Sequence, residues 1–169
     1  MFLQLRLVVE ELPQGSLEQR TGAMSKSSQA AARPPLKILV IEDSPLLRNR
    51  LIGMLAQHVE MQVTGHAAGE TEAIAKMKTV PHDALIVDVE LRPGTGLGVI
   101  RAARAEEMQP TTAAKPSIIV LTNYDLPTVR ERCIEAGADY FLDKMREIDR
   151  LIPLLLEIHS RQSDSTLHR

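Results

Sequence analysis

Leu36-Lys37-Ile38-Leu39-Val40-Ile41-Glu42-Asp43-Ser44-Pro45 is an apolar run that stops abruptly on two carboxylates and then on a helix start. Ser44 is a good N-cap, and Pro45 suits the first helical position, where the missing N–H would have no helical partner anyway. A short, continuously apolar run reads as a strand covered on both faces. The same unit, an apolar run followed by a helical pattern, recurs down the chain. Strands are predicted over 36–41, 61–67, 84–87, 117–121 and 139–142, and helices over 45–58, 69–78, 97–108, 126–136 and 149–160. This alternation is that of βα units around a parallel sheet, an α/β fold of (βα)5 order with a doubly wound five-stranded sheet. Right-handed crossovers put the reactive crevice of such a sheet at the carboxyl ends of its strands. Gly137 just after Ala136 suits a left-handed helix stop, and Asp125 before Leu126-Pro127 repeats the Ser44-Pro45 pattern. Pro153 falls near the first turn of a helix starting at Asp149, where proline is tolerated.

Composition narrows the classes. The chain has 169 residues, 44% apolar and 25% charged, the make-up of one globular domain with a real core. Its net charge of −2, without a block of lysine and arginine, lacks the footprint of a nucleic-acid or anionic-membrane binder. Cys133 is the only cysteine, so neither a disulfide frame nor a thiolate metal site can be built, and a reducing cytoplasm fits. In 1–11 an arginine, Arg6, splits the apolar run and no small-residue cleavage site follows, which excludes a signal peptide. No run approaches the roughly 18 apolar residues needed to span a bilayer, so no membrane insertion is expected. Residues 13–35 are mostly Gly, Ser, Gln, Ala, Arg and Pro without periodicity. Residues 1–35 are therefore expected to be a weakly ordered extension, 36–160 the folded domain and 161–169 a flexible tail. Met24 inside the extension offers an alternative translation start; in the competing reading, 2–12 form a short docking segment.

The chemistry sits at the strand ends. Glu42 and Asp43 follow the first strand and Asp88 follows Leu85-Ile86-Val87, so the three carboxylates should meet in one crevice. Like charges a few ångströms apart repel, and such a cluster is stable mainly when a cation neutralises it. All-oxygen ligands favour a hard ion, and Mg2+ suits the set best. Taken alone, Glu42-Asp43 reads first as a turn with a helix cap. Lys144 after Tyr140-Phe141-Leu142 and Thr122 after Ile118-Ile119-Val120-Leu121 bring the number of agreeing strand ends to four.

Over residues 36–160 these features resemble the receiver domain of two-component response regulators. The elements are Ile41-Glu42-Asp43-Ser44, Val87-Asp88 followed by Leu91 and Pro93-Gly94-Thr95-Gly96-Leu97, Leu121-Thr122-Asn123, and Ala136-Gly137-Ala138-Asp139 leading to Lys144. The resemblance implies a flavodoxin-like receiver fold with Asp88 as phospho-acceptor. It implies Mg2+ bound by Asp43 and Asp88 directly, by Glu42 through water and by the Glu90 backbone carbonyl. Lys144 would pair with phosphoryl oxygens, Thr122 would hydrogen-bond one of them, and Phe141 takes the place of the aromatic switch residue, swinging from an outward to an inward position. The implied partners are a sensor histidine kinase or phosphotransfer protein and a downstream protein target, with the surface of the fourth helix, fifth strand and fifth helix serving a partner or a second subunit. The chemistry agrees, because in-line phosphoryl transfer needs a positioned nucleophile and charge neutralisation more than acid-base work. The chain ends nine residues after Ser160, too short for a helix-turn-helix output domain, so a stand-alone switch signalling by protein contact is expected. Thr122-Asn123-Tyr124 and Tyr140-Phe141-Leu142-Asp143-Lys144 look closest to receivers without an output domain.

Three departures from the family pattern stand out. Met145 follows Lys144 where most receivers have a cis proline, so a trans peptide or a strained exception is expected. Arg92 stands where many have proline, with Pro93 one residue later. Glu90 puts a further negative group near Asp88. The rival readings are a degenerate receiver acting as a constitutive protein-binding module and a small nucleotide-binding domain, the latter disfavoured by the missing glycine-rich turn after the first strand. Gly94, Gly96 and Gly98 do not have P-loop spacing. His58, His66, His82, His159 and His168 share no ligand spacing and read as solvated or capping residues. Cys133 reads as a small buried residue, and Arg130, Glu131, Arg132 and Glu135 as a solvated helix face.

Overall fold

The computed structural model describes residues 33–105, 115–123 and 126–166. Its elements run β1 (Leu36–Ile41), α1 (Pro45–Leu55), β2 (Met61–Ala67), α2 (Glu70–Thr79), β3 (Ala84–Val87), α3 (Gly96–Arg104), β4 (Ser117–Thr122), α4 (Pro127–Glu135), β5 (Tyr140–Asp143) and α5 (Leu151–Thr166). The five strands form one parallel sheet in the order β2-β1-β3-β4-β5. This is the doubly wound flavodoxin-like fold expected from the βα alternation.

The apolar runs are continuous because both faces of the sheet are covered. Leu36, Ile38 and Val40 of β1, Ile86 of β3 and Leu121 of β4 pack with Leu51 and Leu55 of α1 and Leu151, Leu155 and Ile158 of α5. The alternate residues, Leu39, Ile41, Leu85, Val87 and Val120, pack on the other face with Ala73 of α2, Val99 and Ile100 of α3, and Cys133 of α4. Cys133 is thus a buried apolar group, and burial pushes its thiol pKa up. Of the five strands only β2, at the edge, has exposed positions, Gln62 and His66.

Several boundaries differ from the sequence pattern. α1 stops at Leu55, and 56–58 close in tighter turns, Gln57 N–H to Met54 O and His58 N–H to Leu55 O. α3 stops at Arg104, where Ala105 turns extended; 106–108 of the expected helix lie outside the described residues. At α4 the capping position is Leu126, whose side chain cannot accept a hydrogen bond, while Asp125 lies outside the described residues. β5 begins at Tyr140 and is followed by a 3-10 turn, Ile148–Arg150, before α5. Pro153 is the third residue of α5, inside the first turn. The helix continues to Thr166, beyond 160, helped by the Arg161–Glu157 pair along its surface. Among the described residues no helix is long and apolar enough to cross a membrane. His82, expected to be solvated or capping, is half-buried with Nδ1 2.8 Å from Thr64 Oγ1. Thr64 itself is the extra residue where the β1–β2 register shifts.

α4 ends as predicted on Gly137, at a φ of +106°. Gly137 N–H donates to Ile134 O and Ala138 N–H to Cys133 O, both at 2.9 Å, the two bonds of a Schellman stop. Arg104 packs against the turn, donating to Gly137 O at 2.8 Å, Pro116 O at 2.9 Å and Asp139 Oδ2 at 2.6 Å. A Cβ at Gly137 would lie 2.7 Å from Arg104 Cγ. Gly137→Ala is expected to cost about 1–2 kcal/mol, read as a lower urea midpoint at unchanged m-value. An unchanged midpoint would show that the left-handed stop is dispensable.

Candidate functional site

The sheet ladder runs on past the strand ends into the site. Glu42 N–H donates to Ala67 O, Asp88 N–H to Ile41 O and Lys144 N–H to Thr122 O, each at 2.9 Å. Each of these three residues is therefore fixed by a backbone bond to the neighbouring strand, and their side chains begin from positions set by the core beneath them. Thr122 is fully buried and Glu42 is 2% exposed; Asp88 is 7% exposed and Asp43 half-buried.

All the carboxylates predicted to meet do meet. One carboxylate oxygen from each of Glu42, Asp43 and Asp88 lies within 4.8 Å of the others. Lys144 reaches into this group, with Nζ 2.7 Å from Glu42 Oε2 and 2.6 Å from Asp88 Oδ2, and its side chain is only 6% exposed. Glu42 Oε1 also accepts from Ser44 N–H at 3.2 Å, and Asp88 Oδ1 from Glu90 N–H at 3.4 Å. One lysine against three carboxylates leaves the cluster with excess negative charge. Burial raises the Glu42 pKa most and the Asp88 charge adds to it, while the Lys144 ammonium pulls the other way. The donor set is all carboxylate oxygen, which fits a hard divalent cation.

The surroundings contain residues that the sequence pattern passed over. Asp143 is buried, and its Oδ1 accepts from Met145 N–H at 2.6 Å and Arg146 N–H at 3.1 Å, wrapping the loop that carries Lys144. Glu147 returns the bond, its Oε2 accepting from Asp143 N–H at 3.1 Å. An aspartate at a strand end followed by a turn is an Asx-turn signal that could have been noticed. The Lys144–Met145 peptide is trans, as one of the two expected forms; Arg92–Pro93 is cis. Glu90 pairs with Thr95 in an isolated antiparallel bridge and exposes its side chain. Phe141 is 6% exposed and belongs to the core facing α4, with the Arg130 guanidinium 4.5 Å above its ring. The outward position expected as a starting state is thus not the one seen, because α4 covers the ring, and Arg130 is not simply a solvated residue. Tyr124 lies outside the described residues.

With this geometry in hand, the comparisons with known proteins agree. A family model described as the response regulator receiver domain matches residues 38–155. The chain is 31% identical over 113 residues to a protein-glutamate methylesterase/protein-glutamine glutaminase of Anaeromyxobacter dehalogenans, covering 66% of this chain and 31% of that protein. It is 31% identical over 116 residues to the transcriptional regulatory protein YvfU of Bacillus subtilis, covering 69% of this chain and 55% of that one. It therefore spans from about a third to just over half of the length of these relatives. Among solved structures, the receiver domain of a Pseudomonas aeruginosa sensor histidine kinase, with a magnesium ion coordinated in its active site cleft, superposes with a TM-score of 0.63 at 26% identity, covering 75% of this chain and 98% of that one. A CheY-like receiver from Methanospirillum hungatei superposes with a TM-score of 0.64 at 20% identity, covering 78% and 98%, a likeness of fold.

In metal-free protein, a carboxyl held above its ordinary value binds its proton more tightly folded than unfolded, so it lowers stability as pH rises through that window. Glu42→Gln removes the titration. Under chelator the variant should gain stability over the parent as pH rises above 4.5, with the gain fading below it. Parallel pH profiles in chemical denaturation would show that burial of Glu42 carries no such penalty.

Proposed function

Since this chain belongs to the response regulator receiver family, we propose that it is a phospho-accepting switch whose acceptor is Asp88. The observation that carries this reading is the Lys144 ammonium held between the buried carboxylates of Glu42 and Asp88. In the proposed reaction an Asp88 carboxylate oxygen attacks phosphorus in line and the bond to the donor breaks, releasing imidazole from a phosphohistidine or the leaving group of a small phospho-donor. Lys144 shields the nucleophile from the incoming dianion and then pairs with phosphoryl oxygens. Asp43 and Asp88, with Glu42 through water and the Glu90 carbonyl, would hold Mg2+, which supplies further neutralisation of the transferring charge. Hydrolysis of the acyl phosphate by water returns Asp88. A sensor histidine kinase or phosphotransfer protein is the proposed donor, and the message passes to a downstream protein target by contact.

For the output we propose that the Thr122 hydroxyl turns to the phosphoryl oxygens and draws the end of β4 inward, so that Phe141 repacks and changes the surface of α4, β5 and α5. Phosphate need only favour one of two existing conformations. The experiment for the first step treats purified protein with acetyl phosphate and Mg2+. One alkali-labile, hydroxylamine-sensitive phosphoryl group is expected on the parent and none on Asp88→Asn; absence of labelling on the parent, or equal labelling of the variant, would sink the assignment and favour a constitutive binding module. For the output, Thr122→Ala should still be phosphorylated, but the fluorine signal of a labelled Phe141 should respond less to phosphate than in the parent. An equal response in both proteins would remove Thr122 from the route.

A further inference from the structure

One acidic side chain outside the carboxylate cluster has had space cleared for it. A Cβ at Gly94 would lie 2.4 Å from Glu70 Cβ, and a Cβ at Gly98 would lie 2.1 Å from Glu70 Oε1. Gly69, just before it, would meet the Pro93 carbonyl at 2.6 Å, and Gly94 sits at a φ of +97°. Three glycines thus let the start of α2 press against the loop that follows Asp88. Hydrogen bonds fasten the contact. Glu70 N–H donates to Pro93 O at 3.1 Å, and Glu70 Oε2 accepts from Thr95 N–H at 2.8 Å and from Thr95 Oγ1–H at 3.4 Å.

Thr95 is the hub of this loop. Its hydroxyl caps α3 by accepting from Gly98 N–H at 3.0 Å, and its backbone pairs with Glu90. Gly96 N–H donates to Val89 O at 2.9 Å, closing the loop on the residue after the acceptor. Glu90 N–H in turn meets Asp88 Oδ1. An unbroken chain of contacts therefore runs from the Glu70 carboxylate through Thr95 and Glu90 to Asp88. A glutamate in the first turn would be favourable toward its own helix amides, yet this one is spent on a neighbouring loop.

We infer that Glu70 is a positioning residue of the site, holding the backbone of Glu90 against Asp88 through the Thr95 bridge, so that the cation-binding loop is formed before the ion arrives. The inference rests on the reading of Asp88 and its neighbours proposed above. Outer contacts that orient ligands contribute strongly to metal affinity. A backbone carbonyl ligand has no rotamer of its own and points only where its peptide plane is held.

The test is calorimetric titration of the full chain with Mg2+, together with amide exchange of Thr95 and Gly98 under chelator. Glu70→Ala should bind Mg2+ about tenfold more weakly than the parent, with faster exchange at both amides. Glu70→Gln should fall within about twofold of the parent, because its amide oxygen still accepts the Thr95 N–H. Glu72→Gln is the control. Glu72 stands in the same turn, accepts from Ala68 N–H and pairs with Lys76 without touching the loop, and should leave affinity unchanged. Gly98→Ala displaces the carboxylate from the opposite side while favouring helix, and should weaken binding by a similar factor; it decides the matter if Glu70→Ala does not fold. Parent-like affinity in a folded Glu70→Ala or in Gly98→Ala would overturn the role of Glu70 and leave the site reading standing. Failure of the parent itself to bind Mg2+ would overturn both.

Discussion

The ammonium of Lys144 between two buried carboxylates is the contact on which the upper end of the sheet depends. Parallel pairing of β1 with β3 brings their carboxyl ends side by side, and both ends carry acid. Without a cation there, Glu42 and Asp88 would be two buried like charges, each stripped of much of its water, and removing the lysine so that they stand uncompensated would cost about 3–5 kcal/mol. The lysine comes from β5, two strands away from β3, and it can reach only because the Thr122 carbonyl anchors its backbone N–H. Sheet order, strand length and the loop after β5 are therefore all constrained by one interaction, and its strength lies in a site that is mostly out of solvent.

On the proposed reading that constraint also prepares the site for its ion. A fully satisfied cluster would be inert, but three carboxylates facing one ammonium retain an excess of negative charge that invites a divalent cation. The rigid part of the site is its floor. Backbone bonds from Ala67, Ile41 and Thr122 hold the floor. The rim consists of loops, and each has its own fastening. Asp143 wraps the lysine loop by accepting two N–H bonds. Ser44 caps α1 through the Leu47 N–H, so the acidic pair is followed at once by a rigid element.

Much of this was legible because the informative features are local. β1 and β3 have the bounds that the apolar runs predict, since a strand buried on both faces has no polar position to blur its ends, and Glu42, Asp43 and Asp88 could be named because they are the first charged residues after those runs. What the pattern missed depends on packing between distant segments. Arg130 reads as part of a solvated helix face in any periodicity count, and only the docking of α4 on β5 places it over Phe141. Glu70 reads as an ordinary first-turn acid, and its contact with Thr95 joins residues 25 positions apart. Helix ends were imprecise for a related reason. Arg104, in the last turn of α3, is held by Gly137, Pro116 and Asp139, which belong to other segments.

The position of Phe141 changes what a switch built on it can transmit. A ring already packed among Val120, Val129 and Cys133 cannot report phosphate simply by leaving solvent. Close-packed interiors tend to have discrete alternative arrangements, so a change at the end of β4 has to be met by repacking. The first group to feel it is Arg130, since a cation over an aromatic face loses about 0.5–1 kcal/mol when that face turns away at a partly exposed site. On the proposed mechanism repacking of Phe141 is therefore felt on α4 through the cation over its ring. A few kcal/mol of preference between the two arrangements is sufficient for this, which is the scale on which one repacked aromatic and one displaced cation operate.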